Sequence, residues 1–340
     1  MRVLVDDVGS FPLPGNLDKK IFDQAYCQAR ARLRDGKSIT TDGFLQKNFR
    51  DVVVESFRRK CATGLDVVNY PQHYDMHKQV ADIITEAMGR GTYIVDKKDA
   101  ILPEVSVVGD SASVFYEAFG RKFSLRACVA GPLEMYLKMV GTVCYKDVLL
   151  MFAETVKRFA ENCVLNSRHI KTEVVCLDEP SLGFLDVSAP RDVVVDVLEK
   201  AFSFVGVTKQ IHLHSSLRIA DLLGVRGLDV LALESAASPK NLDGLPRKML
   251  DDADKYVRVG ISRTDVDSIR AEFYEGGTKE PTNDQLVESQ DTIRQRFRLA
   301  SERYGERLRF AGPDCGLGGW PSQESAELLL RRTVNATKQL

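Results

Sequence analysis

The sequence is short of several features that would place it quickly. Among 340 residues there are five histidines and a single tryptophan, Trp320. The seven cysteines (Cys27, Cys61, Cys128, Cys144, Cys163, Cys176 and Cys315) are odd in number, scattered, and never spaced as CxxC. That excludes a disulfide framework and suits a reducing compartment. No apolar run approaches the roughly 18 to 20 residues that cross a bilayer, so no membrane partner is expected. The opening stretch, MRVLVDDVGSFPLPG, is broken at once by acidic residues and lacks a signal-peptide layout, which makes a cytoplasmic protein the expectation. Nor is there a surplus of either charge. Against 47 lysines and arginines stand 48 aspartates and glutamates, and this balance offers no basic footprint for nucleic acid. Linker-like stretches, low-complexity tracts and internal repeats are all missing.

What remains is core material, 44% of the chain being hydrophobic, arranged in a regular alternation. Eight short β-branched runs recur: RVLVDDVGSF (2–11), GLDVVNYP (64–71), LRACVAGP (125–132), EVVCLDEP (173–180), QIHLHSS (210–216), LDVLALES (228–235), YVRVGIS (256–262) and LRFAGPDCG (308–316). Between them lie stretches such as DVLLMFAETVKRFAENCVLN and DTIRQRFRLASERYG, whose apolar residues return every three or four positions, as on one face of a helix. A doubly wound open sheet produces the same alternation. Eight units, with polar residues gathered where the runs finish, point instead to an α/β fold, a (β/α)8 TIM barrel formed by residues 1–340 as a single domain. The first connection is long and predicts extra helix. Residues 90–124 contain GTYIVDKK and ILPEVSVVG, alternations that predict a β-hairpin inserted before the third barrel strand.

In a parallel barrel the reactive groups stand at the C-terminal ends of the strands. Strand one finishes in Gly9, Ser10, Phe11 and Pro12, and strand two in Asn69, Tyr70, Pro71 and Gln72. Strand four finishes in Asp178 and Glu179, strand five in His212 and His214, strand six in Glu234, and strand eight in Asp314 and Cys315. Alternation along a strand turns His212 and His214 the same way, into the mouth, while Ile211 and Leu213 face the helices. Two histidines so placed are compatible with hydrogen-bonded core residues or with a metal. Glu234 closes an otherwise apolar strand next door, and a buried carboxylate needs a cation, supplied by a basic side chain or a metal ion. With Cys315 the set becomes two nitrogens, one oxygen and one sulfur, a donor set for Zn2+ rather than for magnesium or calcium.

Seven of these stretches, VGSFPLP (8–14), GLDVVNYPQHYDM (64–76), AGPLEMYL (130–137), CLDEPSL (176–182), IHLHSS (211–216), LALESAAS (231–238) and GPDCGLGG (312–319), occur in the order of a known family. Together they resemble the catalytic barrel of cobalamin-independent methionine synthase, in the superfamily that also holds uroporphyrinogen decarboxylase and the methylcobalamin:thiol methyltransferases. The chain is similar to the short forms that carry only the zinc-bearing barrel. The resemblance implies a zinc ion on His212, His214, Glu234 and Cys315, and a small-molecule thiol, homocysteine, as methyl acceptor. It implies that Asp178 holds the amino group of that substrate and that the loop Gly9, Ser10 and Phe11 meets its carboxylate, with Gln72 and Glu179 beside them. Three departures from the family matter. His214 stands where the family has cysteine, which leaves one thiolate and a harder zinc; Gln72 stands where it has a second carboxylate for the homocysteine amine, which argues against an α-amino acid acceptor; and Asp267 stands where it has a histidine implicated in protonating folate. The last favours a methylated corrinoid, methylcobalamin or a corrinoid protein, over methyltetrahydrofolate.

Two other readings fit parts of the pattern. Amidohydrolase-type barrels also use His-X-His, with an aspartate after strand eight that Asp314 would supply, although their His-X-His lies on the first strand. A non-catalytic barrel, stapled by zinc and docking a corrinoid protein, would need the same four ligands. His73 and His77, with Asp75, are spaced as a second metal cluster or as a solvated helix start. Trp320 follows the Cys315 turn, where it either caps a flat cofactor or packs.

Overall fold

A computed structural model describes residues 2–278 and 280–338. Eight strands form where the β-branched runs lie: Leu4–Val5 (β1), Val67–Asn69 (β2), Phe123–Ala130 (β3), Ile170–Asp178 (β4), Thr208–Leu213 (β5), Val230–Leu233 (β6), Tyr256–Ser262 (β7) and Leu308–Pro313 (β8). From β2 onward each pairs with the next in parallel, and β8 returns to β1. One seam remains, between β1 and β2. It is closed by a single parallel bridge from Asp6 to Val67 and by the Asp66 amide, which donates to the Val5 carbonyl at 2.9 Å. Carboxylates take the place of ladder carbonyls there: Asp66 accepts from the Val5 amide at 2.9 Å and Asp7 from the Asn69 amide at 2.8 Å. Asp7 is itself paired with the buried Lys60 at 2.6 Å.

The helices follow the apolar periodicity, including Lys146–Asn162 and Gln290–Tyr304, and the long first connection carries Lys19–Arg34 and Asp51–Ala62. Among the described residues no helix is long and apolar enough to cross a membrane.

The hairpin expected in 90–124 does not form. Residues Pro103–Asp110 and Ala112–Phe119 are helices instead. Proline at 103 presets the first helical residue, and Glu104 turns inward to accept from the amides of His73 and Tyr74 at 3.1 and 3.3 Å. Val105, Val107 and Val108 are then buried against the core from a helix, so tertiary packing overrides their strand propensity.

Inside the barrel the inward residues stack in layers drawn from alternate strands, as this fold requires. The lowest is apolar, with Val67, Val174, Val230 and Phe310 from the even strands. The next is not. Asp6, Arg126, Gln210 and Arg258 come from the odd strands, all fully buried. Asp6 accepts from Arg126 at 2.5 Å through one carboxylate oxygen and from Arg258 at 2.7 Å through the other, and Arg258 also donates to the Pro313 carbonyl at 2.8 Å. Two guanidiniums thus depend on one carboxylate in a medium that penalises unpaired charge.

Replacing Asp6 with asparagine leaves both arginines buried without their counter-ion. We expect Asp6→Asn to lower unfolding free energy by about 3–5 kcal/mol, read as a lower urea midpoint at unchanged slope. A midpoint equal to that of the wild type would show that the ion pair does not hold the layer.

Candidate metal and substrate site

Above the charged layer the donors predicted from sequence come together. The ring nitrogens of His212 and His214, a Glu234 oxygen and the Cys315 sulfur offer four ligand atoms that all lie within 4.8 Å of one another. They arrive from three strand ends. His212 is in β5, and His214 follows it immediately; Glu234 follows β6 and Cys315 follows β8. The two imidazoles meet edge to face, with centroids 5.2 Å apart. His214 Nε2 is 3.2 Å from Glu234 Oε1 and 3.6 Å from Cys315 Sγ.

His212 tests whether a metal fits. It is only 2% exposed, yet neither ring nitrogen has a hydrogen-bond partner among the described residues. A buried imidazole with both nitrogens unsatisfied is costly, and a cation shared with three further donors removes that cost at one nitrogen. Burial keeps both histidines neutral by pushing their pKa values down, which is the form that ligates. Burial, with help from the nearby Asp314 carboxylate, pushes Glu234 up to about 7. Burial and the Glu234 charge likewise raise the Cys315 thiol. The donor set suits Zn2+.

The ligands are held through the backbones of their loops. Asn241, in the short 3-10 helix Pro239–Leu242, donates from its amide nitrogen to the carbonyls of both His214 (2.8 Å) and Glu234 (3.0 Å), and accepts from the Ser216 amide at 3.2 Å. Asp314 accepts from three consecutive amides after Glu234, those of Ser235, Ala236 and Ala237, at 2.8, 2.9 and 2.7 Å. Its carboxylate is therefore committed to shaping that loop and is not among the four converging donors, which removes the hydrolase-like role considered for it. The Cys315 amide donates to Thr264 Oγ1 at 3.1 Å. Sequence reading missed Asn241 altogether, because an asparagine in a loop carries no periodic signal.

The remaining predicted residues surround this centre unequally. Asp178 lies deep on β4, opposite His212 in register, and accepts from the Cys176 thiol at 3.1 Å. Burial, reinforced by Cys128, raises its carboxyl well above the usual range. The loop Gly9 to Pro12 is tied to the Cys315 turn, since Ser10 accepts from the amides of Leu317 (2.7 Å) and Gly318 (3.0 Å). Gly9 sits at φ +46°, and a Cβ there would come within 2.9 Å of Gln72 Oε1. Gln72 is buried under this loop and donates to Tyr70 and Gln79, both at 3.0 Å. Phe11 is buried and its carbonyl accepts from His73 Nδ1 at 2.9 Å. Glu179 accepts from the amides of Leu133 and Glu134 at 2.9 and 2.6 Å, capping the helix Pro132–Met139.

The spacing of His73, Asp75 and His77 does not yield a second cluster. His73 is spent on Phe11 and Ser56, His77 contacts Glu134 at 2.9 Å, and Asp75 caps the helix Met76–Met88. Trp320 is buried and donates to the Thr264 carbonyl at 3.1 Å, so it braces the Cys315 turn.

No family model matches the chain. A methionine synthase of Methanothermobacter marburgensis is 22% identical over 317 residues, covering 85% of this chain and 89% of that protein. Among solved structures, a B12-independent methionine synthase from Shewanella sp. W3-18-1 in complex with selenomethionine superimposes with a TM-score of 0.61 at 13% identity, covering 99% of this chain and 97% of that one. A putative vitamin-B12 independent methionine synthase from Listeria monocytogenes gives 0.58 at 16% identity, with coverage of 99% and 97%. The barrel is thus shared over the full length of these proteins. This whole-chain likeness bears out the resemblance carried by the seven short motifs.

Two measurements follow from the geometry. Because an empty site holds protons on Glu234 and Cys315, metal uptake should release protons in weakly buffered solution, and affinity should fall as pH is lowered through about 7. An affinity independent of pH between 6 and 8 would contradict this ligand set. Asn241→Ala should weaken the metal by about 10–100-fold, measured against a chromophoric chelator, with the circular dichroism unchanged.

Proposed function

We propose that this chain is a zinc-dependent methyltransferase that moves a methyl group to the sulfur of a small thiol, with homocysteine as acceptor and methionine as product. The observation that carries the proposal is the convergence of His214, Glu234 and Cys315 on the buried His212 imidazole, whose ring nitrogens have no hydrogen-bond partner among the described residues. The similarity to methionine synthases supports the same reaction.

The difficulty in thiol methylation is the proton. A free thiol with a pKa near about 8.5 is mostly protonated at neutral pH, and the thiolate is the nucleophile. Zinc on the four donors would supply the Lewis acidity that keeps substrate sulfur deprotonated there. The protein's own residues do the rest. Asp178, buried and with a raised pKa, gains its counter-charge when a substrate ammonium enters, which restores the carboxylate and fixes the amine. The Gly9 to Pro12 loop, locked to the Cys315 turn through Ser10, would orient the substrate carboxylate. With both ends held, sulfur approaches the methyl carbon in line; the S–C bond forms as the donor–methyl bond breaks, its electron pair leaving with the donor.

A methylated corrinoid is the donor we favour. Asp267, at the position of the family's folate-protonating histidine, has a side chain 95% exposed and pairs only loosely with Arg270 at 3.6 Å. Loops after β4 and β5 carry Phe184, Leu185 and Leu217 outward as exposed apolar side chains, a surface suited to a large, flat donor or the protein bearing it.

The assay is methyl transfer from methylcobalamin or methyltetrahydrofolate to a panel of thiols. We expect turnover with methylcobalamin and homocysteine, and loss of both bound zinc and more than about 10²-fold of activity in His212→Ala and Cys315→Ala. Turnover that survives the loss of zinc would refute the mechanism. Activity with methyltetrahydrofolate alone would overturn the donor.

A further inference from the structure

A second group of donors lies in the barrel, and its two thiols are used by none of the steps above. Cys128 on β3 and Cys176 on β4 are direct register partners, and Asp178 follows Cys176 on the same face of β4. Their ligand atoms, two sulfurs and a carboxylate oxygen, all lie within 4.8 Å of one another, and all three residues are buried. We propose that Cys128, Cys176 and Asp178 form a second site, for a soft divalent ion such as Zn2+ or Cd2+, adjoining the four-donor centre on the neighbouring strands.

The distances suit a shared ion. Two Zn–S bonds of about 2.3 Å at a tetrahedral angle place sulfurs roughly 3.8 Å apart, inside the 4.8 Å that encloses the three donors, and the Cys176 thiol already sits 3.1 Å from Asp178 Oδ1. The charge environment suits it as well. Arg126, two residues before Cys128 on the same face, spends one arm on Asp6, and its remaining charge lies beside both thiols. A soft metal takes the thiolate, and the guanidinium beside the pair offsets the charge the two sulfurs carry once an ion has displaced their protons. Two thiolates, one carboxylate and the guanidinium reach electrical balance when a divalent ion joins them. Sulfur donors exclude magnesium and calcium, and the three protein ligands leave a fourth position open. The two groups share no donor.

Occupancy has a consequence that rests on the reading of Asp178 as the amine anchor. A metal on Asp178 withdraws it from the substrate, so the second ion acts as an inhibitor that competes with the amino-acid thiol. Ion binding itself does not depend on that reading.

The test is titration of the reduced apo chain with Cd2+, following thiolate-to-metal charge transfer in the ultraviolet together with calorimetric stoichiometry. Two equivalents are expected, one bringing a single sulfur and the other two. The Cys128→Ser/Cys176→Ser double variant should keep one equivalent with the single-sulfur signal, and Cys315→Ala should retain the two-sulfur signal. A two-sulfur signal that persists in the double variant, or no two-sulfur signal in the wild type or in Cys315→Ala, overturns the site. The last variant leaves the buried pair untouched, so the result stands even where the double variant fails to fold. If the two-sulfur signal is present but the Cys315-dependent equivalent is missing, the proposed function falls and this site remains. With holoenzyme, a second equivalent of Zn2+ should raise KM for the thiol and leave kcat nearly unchanged, an effect absent from the double variant. Inhibition of equal size in the double variant would overturn the competitive role.

Discussion

One carboxylate, that of Asp6, stands at the centre of the structure. It pairs with both Arg126 and Arg258 inside the barrel, and the same residue makes the bridge to Val67 that joins β1 to β2. Closure of the cylinder and the pairing of its buried charges are therefore one requirement. β1 is only two residues long and cannot hold the seam by ladder bonds alone. The electrostatic attraction of two guanidiniums for Asp6 supplies what the short strand lacks, and in a dry interior such attraction is strong only while every charge keeps its partner.

That layer also fixes what is possible above it. Cys128 and Asp178 lie next to Arg126, and Glu234 and Asp314 feel Arg258. Acidic and sulfur-bearing groups can be buried in the upper barrel because positive charge has been placed below them. The site's precision comes from elsewhere. Its donors sit on loops, and each loop is tied by its backbone to a side chain of another: Asn241 to the carbonyls of His214 and Glu234, Asp314 to the amides that follow Glu234, Thr264 to the amide of Cys315, and Ser10 to the turn beyond it. Rigid strands set the approximate positions and these cross-links set the fine ones.

Much of this was legible in the chain. The eight strands lie where the β-branched runs are, and the polar residues at their ends mark the mouth, because strand alternation and the parallel barrel leave little choice. The converging donors could be named because each is an anomaly in its own run: histidines inside an apolar strand, a glutamate at the end of another, a cysteine in a glycine-rich turn. Residues 103–119 failed for the opposite reason, since alternating valines look the same on a short buried helix as on a hairpin and only the contact of Glu104 with distant amides decides between them. Asp314 was misleading because its motif fits a metal ligand, whereas three amides from a neighbouring loop claim it. The pairing of Cys128 with Cys176 depends on register across strands, which no local pattern carries, and Asn241 stands in a loop helix where its reach to two carbonyls leaves no periodic trace.

Gly260 shows how far such a dependence reaches. It lies on β7, contributes no donor, and touches no ligand, but a Cβ at that position would fall 1.8 Å from Asp314 Oδ1. Any larger residue would evict the carboxylate from its berth and release the three amides that shape the turn after Glu234. A position with no functional group of its own is thereby barred from variation, so in this barrel the tolerance of a site to change is set by vacant space as much as by the atoms that do chemistry.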